Sequence, residues 1–235
     1  MTAIESFPDG SRWADTCAAR LTDTLATALA ETGRAVFAGS GGSTPAPIYA
    51  RMAAADLDWS NIAVTLIDER YVPESSPESN AALIRQSLLS GPAAAARFVP
   101  LYHSEVTVDR AAALATQALA RDGARLDAVL LGMGEDGHIC SMFPGSPTLK
   151  TLLTPTLRPA VYGVPRGRDG AAPGLERLSI NLPYLMTARR VVLAITGPAK
   201  RAVFAREAAG DPAVQPIAAL IAAGVPLDVL WTEKA

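Results

Sequence analysis

Long hydrophobic runs are missing from this sequence of 235 residues, and no stretch approaches the roughly 18 apolar residues that span a bilayer. The N-terminus, MTAIESFPDG, lacks a basic segment followed by an apolar one, so we predict no signal peptide. Cysteine is also scarce. Cys17 and Cys140 lie far apart in the sequence and do not make a disulfide framework. They fit a reducing compartment, and we expect a cytoplasmic protein without a membrane partner.

Charge is low as well. Charged residues make up 19% of the chain, below the roughly 25% of an average soluble protein, and the net charge is −2. This balance gives no basic surface for nucleic acid, although a local positive cluster can still bind a small anion. Apolar residues make up 49%, enough for a substantial core. The oligomeric state stays open between a monomer and a small homo-oligomer.

Apolar runs alternate with amphipathic, alanine-rich segments, which predicts an α/β fold with a mostly parallel sheet and helices on both faces. We expect one domain over 1–235, with a mobile loop at the Gly/Pro/Arg-rich segment 158–174. Thr44 is predicted to cap the second helix. Strands are predicted at 34–39, 61–68, 126–134, 189–197 and 227–231, and helices at 11–31, 45–55, 79–89, 108–121 and 199–209.

Ligands of such sheets bind at the carboxyl ends of the strands, so the segments that follow strands are expected to carry the chemistry. Four of them are rich in glycine, hydroxyl or charged side chains. They are GSGGSTP (39–45), DERYVP (68–73), GMGEDGH (132–138) and TGPAK (196–200).

The first of these segments suits a phosphate group. Gly41 and Gly42 allow close backbone approach, Ser43 and Thr44 add hydroxyls, and the following helix offers free N–H groups. Neither G-x-G-x-x-G nor a Walker ending is present, and a tight turn with a Ser/Thr cap explains the string equally well. Lys200 favours the phosphate site, because a cation at a helix N-terminus is unfavourable unless an anion pairs with it. A solvated surface lysine is the alternative.

The segment GMGEDGH offers a general base. His138 is one of two histidines, and the side chain suits proton transfer near neutral pH. Asp136 is expected to orient it, with Glu135 as the alternative. No serine occupies a G-x-S-x-G elbow, which favours direct activation of water. A capping histidine in a turn remains the plainer interpretation, and His103 is taken as a surface or packing residue.

A metal site at the same loop is not predicted. Asp136 and His138 could supply two ligands, but no second histidine follows at i+4 and no cysteine pair exists.

The triplet Asp68-Glu69-Arg70 follows a predicted strand. An arginine there is placed to hold a carbonyl, a hydroxyl or a phosphate, and we expect all three residues at the substrate. An internal ion pair that fixes the loop is the alternative, and the two roles are compatible.

Taken together, GSGGSTP, DERYVP followed by SPESN, LGMGEDGHICSMFPG, ERLS ahead of NLPYL, and ITGPAK resemble the 6-phosphogluconolactonases in order and spacing over nearly the whole chain. The resemblance implies a Rossmann-like fold, no cofactor and no metal. It also implies hydrolysis of 6-phosphoglucono-1,5-lactone to 6-phosphogluconate in the oxidative pentose phosphate pathway.

The resemblance also assigns roles to single residues. It implies that His138 is the general base, supported by Asp136, and that Arg70 lies by the lactone. It implies that Ser43, Thr44, Lys200 and Arg177 hold the phosphate. The chain departs from the family pattern at Ile139, Cys140 and Met142, where that pattern usually has threonine, alanine and leucine. These exchanges affect packing rather than chemistry.

Two rival functions remain open. Glucosamine-6-phosphate deaminase/isomerases share a similar histidine loop, but theirs carries a glutamate after the histidine, where this chain reads GHICSMFPG. A sugar-phosphate-binding regulator is the non-enzymatic alternative, but the chain leaves no residues for a DNA-binding or partner module.

Overall fold

Ten strands and eight helices make up the computed structural model over residues 3–234, the part of the chain that it describes. The strands are β1 (Ile4–Phe7), β2 (Ala35–Gly39), β3 (Ile62–Leu66), β4 (Asp68–Arg70), β5 (Arg97–Phe98), β6 (Ala128–Leu131), β7 (Val161–Val164), β8 (Arg177–Ile180), β9 (Arg190–Thr196) and β10 (Leu227–Thr232). The helices are α1 (Gly10–Thr32), α2 (Ala46–Ala53), α3 (Asn80–Ser87), α4 (Val108–Ala120), α5 (Leu149–Leu153), α6 (Leu182–Leu185), α7 (Gly197–Ala208) and α8 (Pro216–Ala222).

Seven of the strands form one parallel sheet in the order β1-β10-β9-β6-β2-β3-β5. Every residue of β2, β3 and β6 is buried. Because successive side chains point to opposite faces of a strand, the sheet is covered on both faces. The predicted α/β class with a mostly parallel sheet is confirmed.

The longest helix, α1, shows how local sequence signals set the element boundaries. Asp9 caps its N-terminus by accepting a hydrogen bond from the backbone N–H of Arg12 at 2.8 Å. Gly33 ends it with a φ of 71°, a left-handed conformation that glycine adopts without strain. The indole N–H of Trp13 donates to the carbonyl of Leu230 at 3.0 Å, which ties α1 to β10. One hydrophobic cluster extends from Trp13 to Leu230.

The strand order places a topological switch point between β2 and β6. From β2 the chain adds β3 and β5 on one side, and it later adds β6, β9 and β10 on the other. Loops that leave two such strands diverge and open a crevice at their carboxyl ends. The loops at this crevice are those that begin at Ser40 and at Gly132.

A second, antiparallel sheet in the order β4-β8-β7 corrects two sequence predictions. The strand predicted at 61–68 is divided at Ile67. Its N–H donates to the carbonyl of Gly39 in the main sheet, and its carbonyl accepts from the N–H of Ile180 in the small one. The segment 158–174, predicted as a mobile loop, contains β7. The hydrophobic pattern also did not predict β1, β5, β8, α5, α6 and α8.

The predicted helix cap at Thr44 is also wrong. The cap of α2 is Pro45, with helical φ and ψ of −78° and −16°, and no side chain there makes a capping hydrogen bond. The hydroxyl of Thr44 therefore does not cap α2. Within residues 3–234, no helix has both the length and the apolar character needed to cross a membrane.

Candidate active site

A cavity of about 260 Å³ lies at the switch point, between the loops that follow β2 and β6 and the small sheet. It brings together nine of the eleven residues predicted for the site. Asp136 contacts His138 from outside the lining, and Glu69 does not reach the cavity. The predicted residues in the lining are Gly41, Gly42, Ser43, Thr44, Asp68, Arg70, His138, Arg177 and Lys200, and Ser40, Asn80 and Cys140 join them.

The glycine-rich loop forms one wall of this cavity. A Cβ at Gly41 would lie 1.8 Å from the Oδ1 of Asn80, so only glycine fits there. Gly42 has a φ of 87°, which favours glycine for conformational reasons. Lys200 reaches the same cavity from the first turn of α7. This wall is suitable for an anion, because it offers backbone that a ligand can approach closely, two hydroxyls and a lysine.

Asn80, which sequence analysis did not assign, links that wall to Arg70. Its Oδ1 accepts a hydrogen bond from Nη1 of Arg70 at 2.7 Å, and its Nδ2 donates to the carbonyl of Asp68 at 3.0 Å. The same Nη1 donates to the carbonyl of Glu78 at 2.8 Å. The guanidinium is therefore held in one orientation at the edge of the cavity. The string SPESN carried this residue, but nothing in it distinguished Asn80 from a helix-capping polar residue.

Glu69 is a correction to the predicted substrate-binding set, because its side chain is fully buried beneath α3. Oε1 accepts from the backbone N–H groups of Arg70 and Asn80, at 2.7 and 2.8 Å. Oε2 accepts from the N–H of Ala81 and the hydroxyl of Ser79, at 2.8 and 3.1 Å. Burial raises the pKa of Glu69, while these four hydrogen bonds act to lower it. The carboxylate fixes the loop and has no oxygen left for a ligand.

His138 and Asp136 form a dyad in the loop after β6. Nδ1 of His138 lies 2.5 Å from Oδ1 of Asp136, which also accepts from the backbone N–H of His138 at 3.2 Å. Burial acts to raise the pKa of Asp136, but the hydrogen bonds and charge of His138 outweigh it and hold that pKa below its usual value. Gly134 lets the pair approach the backbone, since a Cβ there would lie 2.3 Å from Nδ1. Glu135 is exposed.

An aromatic ring separates His138 from Arg177. The ring of Phe143 lies 4.3 Å from the imidazole, centroid to centroid, and the guanidinium carbon of Arg177 lies 5.6 Å from the same ring. Burial lowers the pKa of Arg177, and the charge of Asp68, whose Oδ2 lies 3.7 Å from Nη1, acts to raise it. Within residues 3–234 the buried Nε of Arg177 has no hydrogen-bond partner. No pattern in the sequence singled out Phe143.

The loop that carries His138 is joined to the small sheet by buried hydroxyls. Ser141, three residues after His138, donates from Oγ to Oδ2 of Asp68 at 2.6 Å. Its backbone N–H donates to Oγ of Ser179 on β8 at 3.2 Å. The loop that carries His138 and the sheet that carries both arginines therefore keep a fixed relation. The tertiary pairing of Ser141 and Asp68, 73 residues apart, left no signal in the sequence.

Both cysteines are buried and unpaired. Cys140 belongs to the cavity lining with a φ of 50°, and burial raises its pKa well above the ordinary value. Burial raises the pKa of Cys17 to about 12. Both thiols therefore stay protonated near neutral pH, as expected of packing residues. Within residues 3–234 no three His, Cys, Asp or Glu side chains are grouped so as to hold a metal ion.

Similarity to known proteins extends over almost the whole chain. The model of the family described as glucosamine-6-phosphate isomerases/6-phosphogluconolactonase matches residues 8–231. The chain belongs to this family. A 6-phosphogluconolactonase from Mesorhizobium japonicum is 42% identical over 226 residues, covering 96% of this chain and 93% of its own. One from Rhizobium meliloti is also 42% identical, over 230 residues, with 96% of each chain covered.

Solved structures of the family agree with the fold. The crystal structure of a 6-phosphogluconolactonase from Shewanella baltica has a TM-score of 0.90 at 30% identity, covering 99% of this chain and 98% of its own. The expected resemblance to the 6-phosphogluconolactonases is thereby confirmed, and so is the Rossmann-like fold class that it implied.

Proposed function

We propose that the chain hydrolyses 6-phospho-D-glucono-1,5-lactone to 6-phospho-D-gluconate, the lactone-opening step of the oxidative pentose phosphate pathway. The names of relatives that are 42% identical over nearly the full length support this substrate. The observation that carries the chemistry is the His138–Asp136 dyad, which opens onto a cavity that also contains Lys200 and a glycine-rich loop. We place the reaction in the cytoplasm, on a single domain that needs neither metal nor cofactor.

The phosphate is the first group to be bound in this scheme. Ser43, Thr44 and the N–H groups of their loop line the cavity, and Lys200 adds a positive charge to it. Arg177, whose buried Nε has no hydrogen-bond partner among residues 3–234, completes the anion site. The phosphate is remote from the reacting carbon, and its binding holds the lactone in place. Part of the binding free energy thereby orients C1 for the reaction.

Chemistry then follows at His138. Because Nδ1 of His138 faces Asp136, Nε2 is the nitrogen that accepts a proton from water. The oxygen of that water bonds to C1 of the lactone, and the carbonyl π pair moves onto oxygen. Arg70 or loop N–H groups stabilise this oxyanion. When the carbonyl re-forms, the bond between C1 and the ring oxygen breaks, and the imidazolium returns its proton to that oxygen.

A His138→Asn variant tests the assignment. We expect a loss of roughly 10²- to 10⁴-fold in kcat, the usual contribution of a general base, measured above the spontaneous hydrolysis of the lactone. An unchanged melting temperature serves as the control for folding. Normal kcat in this variant, or equal rates of the unaltered protein at pH 5 and pH 7.5, would contradict a histidine base. We expect a chelator to leave the rate unchanged.

The deaminase/isomerase of the same family is the alternative enzyme. Its loop has a glutamate after the histidine, whereas His138 is followed here by Ile139, Cys140 and Ser141. Ring opening of an amino sugar therefore lacks its acid. Release of ammonia from glucosamine 6-phosphate, measured beside lactone hydrolysis, separates the two activities.

A further inference from the structure

Ser40 has a buried hydroxyl that the fold does not use. The residue is 4% exposed and lines the cavity directly after β2. Its Oγ makes no hydrogen bond within residues 3–234. A buried hydroxyl without a partner is unfavourable, and most such groups in folded proteins are satisfied. The free Oγ of Ser40 therefore points to a ligand that supplies the missing partner.

The backbone of Ser40 is held firmly, so the unpaired hydroxyl does not arise from a loose loop. Its carbonyl accepts a hydrogen bond from the hydroxyl of Tyr49 at 2.6 Å, and Tyr49 is fully buried. The preceding Gly39 accepts from the N–H of Ile67 at 2.9 Å. These contacts hold the backbone at the end of β2 and fix the position from which Oγ of Ser40 projects.

Two neighbouring segments define where along the substrate Ser40 lies. On one side it adjoins Gly41, where the phosphate-binding loop begins. On the other side its Oγ lies 3.9 Å from the position of a Cβ on Gly132, and Gly134, two residues further, packs against His138. Ser40 thus lies where the glycine-rich loop and the loop that leads to His138 come together. A phosphorylated sugar lactone bound to both loops presents its ring carbons and their hydroxyl groups at this level.

We propose that Oγ of Ser40 hydrogen-bonds a secondary hydroxyl of the sugar ring and makes the enzyme selective for lactones that carry it. The proposal rests on the lactonase function proposed above. A serine hydroxyl both donates and accepts, and so does a sugar hydroxyl, so the pair is complementary in either direction. Sites that bind a substrate hydroxyl with a buried polar group discriminate strongly against analogues that lack it, because the protein group is then left unpaired.

The test is a Ser40→Ala variant, assayed with the parent lactone and with phosphorylated lactones that each lack one ring hydroxyl. We expect kcat/KM of the variant to fall at least tenfold for the parent lactone. For the one analogue that lacks the partner of Ser40, we expect less than a twofold difference between the variant and the unaltered protein. This non-additivity identifies the hydroxyl, and a merely structural role does not produce it.

Stability provides an independent readout. Because Oγ of Ser40 makes no hydrogen bond to any part of the chain that the structure describes, we expect Ser40→Ala to leave the melting temperature unchanged or raise it. The matched control is Ser87→Ala on α3, outside the cavity, whose Oγ donates to the carbonyl of Leu83 at 2.6 Å. That variant is expected to keep full activity with every lactone and to melt no higher than the unaltered protein.

Several results would overturn the proposal. Unchanged kcat/KM with the parent lactone excludes any contact. An equal loss with every lactone indicates that Ser40 contacts the lactone carbonyl or the phosphate. Contact with the phosphate is then recognised by weaker inhibition of the variant by inorganic phosphate. A lower melting temperature with a uniform loss indicates a structural residue. Failure of the proposed function is distinguishable, because the unaltered protein then hydrolyses none of these lactones above background.

Discussion

Replacing Asp136 by asparagine separates two roles that a carboxylate beside a catalytic histidine can have. In one role it fixes the tautomer of the ring, and inverting the tautomer costs roughly 10⁴-fold in kcat. In the other it contributes only charge. The geometry decides between them, because one oxygen of Asp136 accepts from both Nδ1 and the backbone N–H of His138, at 2.5 and 3.2 Å.

The backbone donor keeps an oxygen of the substituted side chain in place. An asparagine whose amide nitrogen faced Nδ1 would also face the N–H of His138, donor against donor, so its carbonyl oxygen takes the position of Oδ1. The tautomer is then preserved and only the charge is lost. A hydrogen bond to a charged group is worth about 1.5–3 kcal/mol, against about 0.5–1.5 kcal/mol for a neutral one. Since 44% of the Asp136 side chain is exposed and solvent screens its charge, a difference near 1.4 kcal/mol, or about tenfold in kcat, is expected.

The assay is kcat for lactone hydrolysis above the spontaneous rate, with Glu135→Gln as the control that removes a neighbouring exposed carboxylate. We expect the control to retain full activity. A loss near 10⁴-fold, or an equal loss in the control, would refute this account of the dyad.

Two further substitutions test the surroundings of the dyad. We expect Glu69→Gln to lower the free energy of unfolding by roughly 2 kcal/mol, about 4–8 °C in melting temperature. In this variant an amide nitrogen faces the two groups that now donate hydrogen bonds to Oε2 of Glu69. An unchanged melting temperature would argue against the buried role of this carboxylate. We expect Gly41→Ala to reduce kcat/KM at least tenfold, because the added Cβ displaces Asn80 from Arg70. The control is Gly174→Ala, where a Cβ meets open space, and we expect it to stay fully active. Equal activity of the two variants would contradict the role of Asn80 in holding Arg70.

Sequence patterns were sufficient for the main sheet and for placing His138 in a loop after one of its strands. Buried runs such as the one at β6 are rich in branched apolar residues, and the glycines around His138 are typical of a loop. The antiparallel sheet was not predictable in this way. Its strands are three or four residues long, and β7 lies inside a segment whose glycine, proline and arginine content is typical of a loop.

Side chains whose role depends on distant partners were also beyond the sequence. An acid between Asp68 and Arg70 suggests a place at the ligand, but Glu69 is buried because the N-terminus of α3 packs over it. Ser141 acquires its role only when the loop after β6 meets β4. Hydrophobic periodicity reports which face of an element is buried and carries no information on which polar groups meet there.

The two protonated, buried thiols have a practical consequence for probing the enzyme in solution. The chain contains no cysteine other than Cys17 and Cys140, and alkylating reagents react with thiolates that they can reach. A cysteine introduced at an exposed position is therefore the one site that such reagents modify in the folded protein. Fluorescent or spin labels can be attached beside the cavity without first removing a native residue, and the approach of substrate can be followed in the otherwise unaltered chain.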